Sequence, residues 1–163
     1  RRWWCIQART WERGRRPGTE NVALAAGFAA AARLALDSME ADSLRIAMLR
    51  DSLQEGIEGE FPEVIVNGDQ AARLPHILSI AVDTDKRKLE GEMLVVNMDL
   101  KGIAVSSGSA CTSGSVQPSH VLLAMGRSEP TARAALRFSF GRMNTAADVR
   151  AIISALREIL RPS

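Results

Sequence analysis

From Val22 to Leu36 the chain is built almost wholly of Ala, Leu, Gly and Phe, with Arg33 the one charge. Alanine and leucine are the strongest helix formers, and a helix that is apolar nearly all round needs another layer to cover it. This segment therefore predicts a helix buried against a partner surface. It is preceded by the turn-rich, cationic run Arg13 to Asn21, in which Thr19 or a close neighbour suits the N-cap.

Past the polar patch Asp37 to Ser43 the pattern changes. Leu49, Leu53 and Ile57 recur at fourfold spacing among charged neighbours, which predicts an amphipathic helix ending near Gly59. Val64-Ile65-Val66 reads as a short strand closed by the turn pair Asn67-Gly68, and Ile77 to Val82 as a buried strand before the charged turn Asp83 to Lys88. Leu89, Met93, Val96 and Leu100 define a further helix with Gly102 at its C-cap, then a brief strand over Ile103 to Val105. Pro118 opens a helix whose apolar side is Val121, Leu122 and Met125. Leu136, Phe138 and Phe140 alternate with Arg137 and Ser139, so Arg137 points away from the core. Thr145 to Asp148 has capping-box character and starts a last helix with a sustained apolar stripe from Val149 to Leu160. Together these elements predict an α+β domain, a short β-sheet with helices packed on one side.

Composition narrows the chemistry. Cys5 and Cys111 are the only cysteines and His76 and His120 the only histidines, so neither a disulfide framework nor a zinc site is expected, and a reducing, cytoplasmic setting fits. No strictly apolar run reaches the ~18 residues of a membrane span. The first twenty residues carry six Arg against two Glu, 6 − 2 = +4 of a net +2, but the body has no basic stripe, so neither nucleic acid nor membrane is an expected partner.

Ser106 to Ser115 sets one thiol among small residues with no large apolar side chain. Such a segment predicts a loop that presents Cys111, and the thiolate is the nucleophilic form of cysteine. A hydrolase pairing Cys111 with His120 finds no oxyanion site to support it. Arg137 suits either a two-toothed contact to a small carboxylate or a surface ion pair. Thr19, at a glycine-flanked helix start, suits either a phosphate contact or a plain cap.

The run Val105 to Ser115 resembles the catalytic-cysteine loop (about residues 106–117) of the pyridoxal-phosphate-dependent cysteine desulfurases, in the class-V aminotransferase group with the longer loop. Glu12 to Val22, Leu74-Pro75-His76 and Leu136 to Arg142 resemble further segments of that family, in its order. The resemblance implies the small domain of a fold-type I enzyme, with residues 1–20 as an arm and remnant of the cofactor domain, 21–43 as an interdomain helix and 44–163 as the small domain. It implies that Cys111 takes sulfur from L-cysteine, leaving L-alanine, and passes it as a persulfide to an acceptor such as an iron–sulfur scaffold protein. Arg137 would bind the substrate carboxylate, and Thr19 would contact the phosphate of pyridoxal phosphate across a homodimer. The family's cofactor lysine has no counterpart, since only Lys86, Lys88 and Lys101 are present and none lies in a Ser-x-His-Lys setting. The chain alone is therefore expected to be inactive. The alternative is a stand-alone persulfide carrier or interaction domain.

Overall fold

The computed structural model describes residues 21–107 and 118–161, so the expectations for Thr19, Cys111 and the arm lie outside the described residues. The chain divides into two units, 1–40 and 41–163. Helix α1 (Val22–Glu60) runs through both. The expected break at Asp37 to Ser43 is absent, because that patch holds no Gly or Pro and a polar residue on an exposed turn does not stop a helix.

In the first unit the expected burial is not found: Val22 is 73% and Phe28 78% exposed, with Leu24, Leu34 and Leu36 also open. An apolar composition creates the demand for cover without supplying it. By length and mean hydropathy, α1 also contains a stretch sufficient to cross a membrane. Counting strictly apolar runs misses this stretch because Arg33 and Asp37 interrupt it.

The second unit is built on a three-stranded antiparallel sheet in the order β1 (Val64–Val66), β2 (Ile77–Val82), β3 (Ala135–Ser139). Leu78, Ile80 and Val82 of β2 and Leu136 and Phe138 of β3 face a core shared with Leu53, Ile57 and Phe61 at the end of α1. That core also takes Leu94 and Met98 of α2 (Met93–Leu100) and Val149, Ile152, Leu156 and Leu160 of α5 (Ala146–Leu160). Each such side chain contributes about 1.5–3 kcal/mol by leaving water.

The stripe expected on α2 is misphased: Met93, Val96 and Leu100 are exposed while Leu94 and Met98 are buried. An eight-residue helix apolar on most sides carries too little periodic signal to choose its inner face. Gly102, with φ 74°, does close it. Ile103 to Val105 forms no strand. α3 (His120–Ala124) starts two residues later than expected, with Ser119 at its N-cap and Pro118 ahead of the cap, and of its apolar side only Leu122 is buried. An additional short helix, α4 (Glu129–Arg133), is capped by Ser128, whose Oγ accepts from Thr131 N–H at 3.4 Å.

Polar contacts lock α1 to the sheet's connections. Arg45 donates to the carbonyls of Arg142 and Asn144 at 2.8 and 2.9 Å. Arg50 donates to Leu74 O, and Arg73 to Gln54 Oε1 and Asp51 Oδ1, pinning the segment that leads into β2. At the helix end, Glu60 takes two hydrogen bonds from Arg157.

The capping box of α5 forms as expected, with Thr145 N–H donating to Asp148 Oδ2 at 2.8 Å. That backbone hydrogen bond, helped by Asn144 Nδ2, holds the Asp148 carboxyl below its ordinary value. A carboxylate whose native pKa is depressed contributes stability above its unfolded value and loses it as pH falls through the native one. Asp148→Asn is therefore expected to melt lower than the parent near neutrality, with the gap closing below the usual carboxylate range. Circular-dichroism melts across pH check this, and a gap that persists in acid contradicts it.

Candidate functional site

The face of the sheet turned away from the main core carries the candidate site. One end of it is covered, where Ala81 and Ala135 pack with Leu122 of α3 and Ala132 of α4. The other end is open and polar. Arg137 and Ser139 are exposed there, as the strand alternation predicts.

Register places Arg137 within a transverse polar row. Ser79 of β2 lies opposite Arg137. On its other side Ser79 O accepts from Asn67 N–H at 2.8 Å, while Asn67 Nδ2 reaches Ser79 Oγ at 3.4 Å. Beyond β3 a single β-bridge pairs Arg137 with Ser106: Arg137 N–H donates to Ser106 O at 2.7 Å and Ser106 N–H to Arg137 O at 3.2 Å. Directly opposed residues in antiparallel pairing share a face. The row therefore reads Asn67, Ser79, Arg137, Ser106, and Arg127, just past α3, closes it by donating from Nε to Asn67 Oδ1 at 3.1 Å.

Of the sequence-derived candidates, the structure places Arg137, and sets Ser106, which precedes Cys111 by five residues, beside it. The sequence alone does not bring Asn67, Ser79, Ser106 and Arg127 together. Ser79 had a signal, the one hydroxyl in the run Ile77 to Val82, in phase with Ile77 and Ala81 on the non-core face. Asn67 read only as half of a turn, and nothing local marks Arg127.

Two cavities are lined in part by residues of β3 and β2. One of about 410 Å³ lies against Lys101, Ile103, Ala104, Ser139 and Asn144, and Arg137 is not in its lining. A smaller one, about 200 Å³, is lined in part by Asn67, Ile77 and Ser79. Among the described residues no cluster of His, Cys, Asp or Glu is suited to a metal.

A Schiff-base cofactor needs an amine. Lys86 is in the turn after β2, paired with Asp83 at 3.6 Å, and Lys101 ends α2 in an ion pair with Glu158 of α5. Neither belongs to the row, and Lys88 is exposed in the charged turn. Among the described residues Arg137 has the chemistry to contact a carboxylate, while the three lysines lie outside the row and do not fit the Schiff-base end of pyridoxal phosphate.

A short antiparallel sheet with its main helices on one face, α3 and α4 over one end of the other, and an arginine and hydroxyls at that face's open end defines an α+β domain. Residues 5–152 match the aminotransferase class-V profile, and the chain belongs to that family. It is 44% identical over 149 residues to a cysteine desulfurase of Gluconacetobacter diazotrophicus, and 44% identical over 145 residues to an IscS-like cysteine desulfurase of Mycobacterium tuberculosis. These alignments cover 91% and 89% of this chain but 36% of each relative. Among solved structures, a NifS-like protein of Rickettsia africae superposes with a TM-score of 0.73 at 32% identity, over 90% of this chain and 37% of that one. The chain thus spans little more than a third of the length of the relatives it matches.

Proposed function

We propose that this chain is the C-terminal part of a pyridoxal-phosphate-dependent cysteine desulfurase, carrying the sulfur-accepting Cys111 and the carboxylate-binding Arg137. The observation that carries the reading is the Ser106–Arg137 bridge. Cys111 follows Ser106 by five residues, a length of chain that spans at most about 18 Å, which supports a thiol acting together with the arginine. Kinship with cysteine desulfurases supports the substrate class.

On this reading Arg137 holds the carboxylate of L-cysteine while the Cys111 thiolate forms an S–S bond to the substrate sulfur. The substrate C–S bond breaks, its electron pair stays on carbon, and a proton there completes L-alanine. Pyridoxal phosphate supplies the electron sink in this family, and the described residues hold no amine for it. The persulfide then passes to an acceptor, an iron–sulfur scaffold protein being the partner proposed. The exposed apolar half of α1 supports a division in which residues 21–43 join a larger cofactor domain to the small domain 44–163, with residues 1–20 belonging to the former. Thr19 as a phosphate contact across a homodimer, and a cytoplasmic setting, belong to the same proposal.

The experiment supplies the chain with the cofactor domain of a cysteine desulfurase relative, pyridoxal phosphate and L-cysteine. Alanine should form, and the peptide containing Cys111 should gain the mass of one sulfur, lost again on reduction. Sulfur that accumulates on Cys5 instead, or alanine formed with no labelled peptide, would overturn the assignment. The positions of Lys86 and Lys101 favour a second reading, a persulfide carrier without cofactor chemistry, which predicts that the chain alone takes sulfur from a persulfide donor.

A further inference from the structure

We propose that Ser79 is a second anion-binding donor beside Arg137, set in that role by Arg127 acting through Asn67; this deepens, and rests on, the reading of Arg137 as a carboxylate site. A guanidinium has donors only. Arg127 Nε therefore requires the oxygen of the Asn67 amide to face it, at 3.1 Å. That fixes the amide's orientation and turns Nδ2, again a donor, toward Ser79 Oγ at 3.4 Å. Ser79 Oγ accepts, and its single hydrogen is left to point elsewhere.

Arg137 is the residue opposite Ser79 on β3. Both backbone hydrogen-bonding groups of Arg137 are spent on Ser106, across the far edge of β3, while the flanking rungs between β2 and β3 include Phe140 N–H to His76 O and Val82 N–H to Ala134 O, each 2.9 Å. Ser79 and Arg137 are consequently a non-hydrogen-bonded pair, the type whose Cα atoms are only about 4.5 Å apart and whose side chains stand closest. A carboxylate that takes two parallel N–H bonds from Arg137 keeps lone pairs for a third donor. The Ser79 hydroxyl is placed to provide it. The ligand class is a small carboxylate, and Asn67 and Arg127 are positioning residues that act through Ser79.

The test follows the side-chain Nε–H resonance of Arg137 in the isotope-labelled chain during titration with acetate and, separately, with L-alanine. The parent should show a saturable shift. Ser79→Ala should weaken apparent affinity about tenfold, as expected for a hydrogen bond to a charged group, and Ser79→Thr, which keeps the hydroxyl, should restore it. Asn67→Ala, which frees the hydroxyl to rotate, should cost less, about threefold. The backbone amide spectra of the variants report whether the fold is kept. Unchanged affinity in Ser79→Ala overturns the Ser79 assignment, and parent affinity in Asn67→Ala overturns the relay. Arg137→Ala, followed through the Ser79 amide, separates the two levels: binding that survives it overturns the carboxylate reading of Arg137 itself.

Discussion

Gly91→Ala is expected to destabilise the small domain by about 3 kcal/mol, the upper part of the usual range for overpacking. Gly91 precedes Glu92, the N-cap of α2, and a Cβ built on it would stand 2.6 Å from Ala134 N, 2.7 Å from Ala134 Cα and 2.8 Å from Arg133 C. Those atoms are backbone at the junction of α4 and β3. Ala134 is fully buried, and its carbonyl accepts from Val82 N–H at 2.9 Å, so retreat would pull on the sheet. Gly56 makes the informative contrast. Its Cβ would meet Ile153 Cδ1 at 2.4 Å, but that is the free end of a side chain, and Gly within a helix costs about 1 kcal/mol relative to Ala. Gly56→Ala should therefore stay within about 1 kcal/mol of the parent, propensity offsetting the displaced side chain. Urea unfolding of both variants tests the pair. Equal stability would mean that α2 can step back from the α4–β3 junction without cost.

The elements legible in sequence were those whose own pattern is strong. β3 shows strict alternation, α5 pairs a capping box with a long stripe, and both formed with the expected faces inward. Failures cluster where the deciding contact is distant in sequence. The inner face of α2 is chosen by what Leu94 and Met98 meet, and no feature of eight mostly apolar residues encodes that choice. The Ile103 to Val105 segment is β-branched enough to suggest a strand, yet its only cross-strand pairing is one residue further on, at Ser106. The site divides in the same way. Arg137 was legible from alternation, whereas Asn67, Ser79 and Arg127 become its neighbours only through strand register and a hydrogen bond that spans sixty residues.

The first half of α1 teaches a related lesson. Its composition announces a need for cover, and within this chain Val22 to Leu36 remain exposed. Local propensity is sufficient to make the helix, because alanine gives up little side-chain freedom in forming one. Burial depends on a partner surface, which propensity does not specify.

The largest functional effects are expected at Cys111 and Arg137, and comparing two sulfur donors distinguishes their roles. With L-cysteine, in the presence of pyridoxal phosphate and a cofactor domain, Cys111→Ser should reduce sulfur uptake to background because no sulfur nucleophile remains there. Arg137→Ala keeps the thiol but loses a charge-assisted, two-toothed contact, and kcat/KM should fall about a hundredfold, about 2.7 kcal/mol. Inorganic polysulfide carries no carboxylate. With it, Arg137→Ala should load Cys111 at the parent rate while Cys111→Ser still takes up nothing, with sulfur read by mass on the Cys111 peptide. The bridge to Ser106 uses only the backbone N–H and carbonyl of Arg137, so truncating the side chain leaves it intact. Equal losses with both donors in Arg137→Ala would show that the guanidinium supports the cysteine segment rather than the substrate, and would remove it from the carboxylate site.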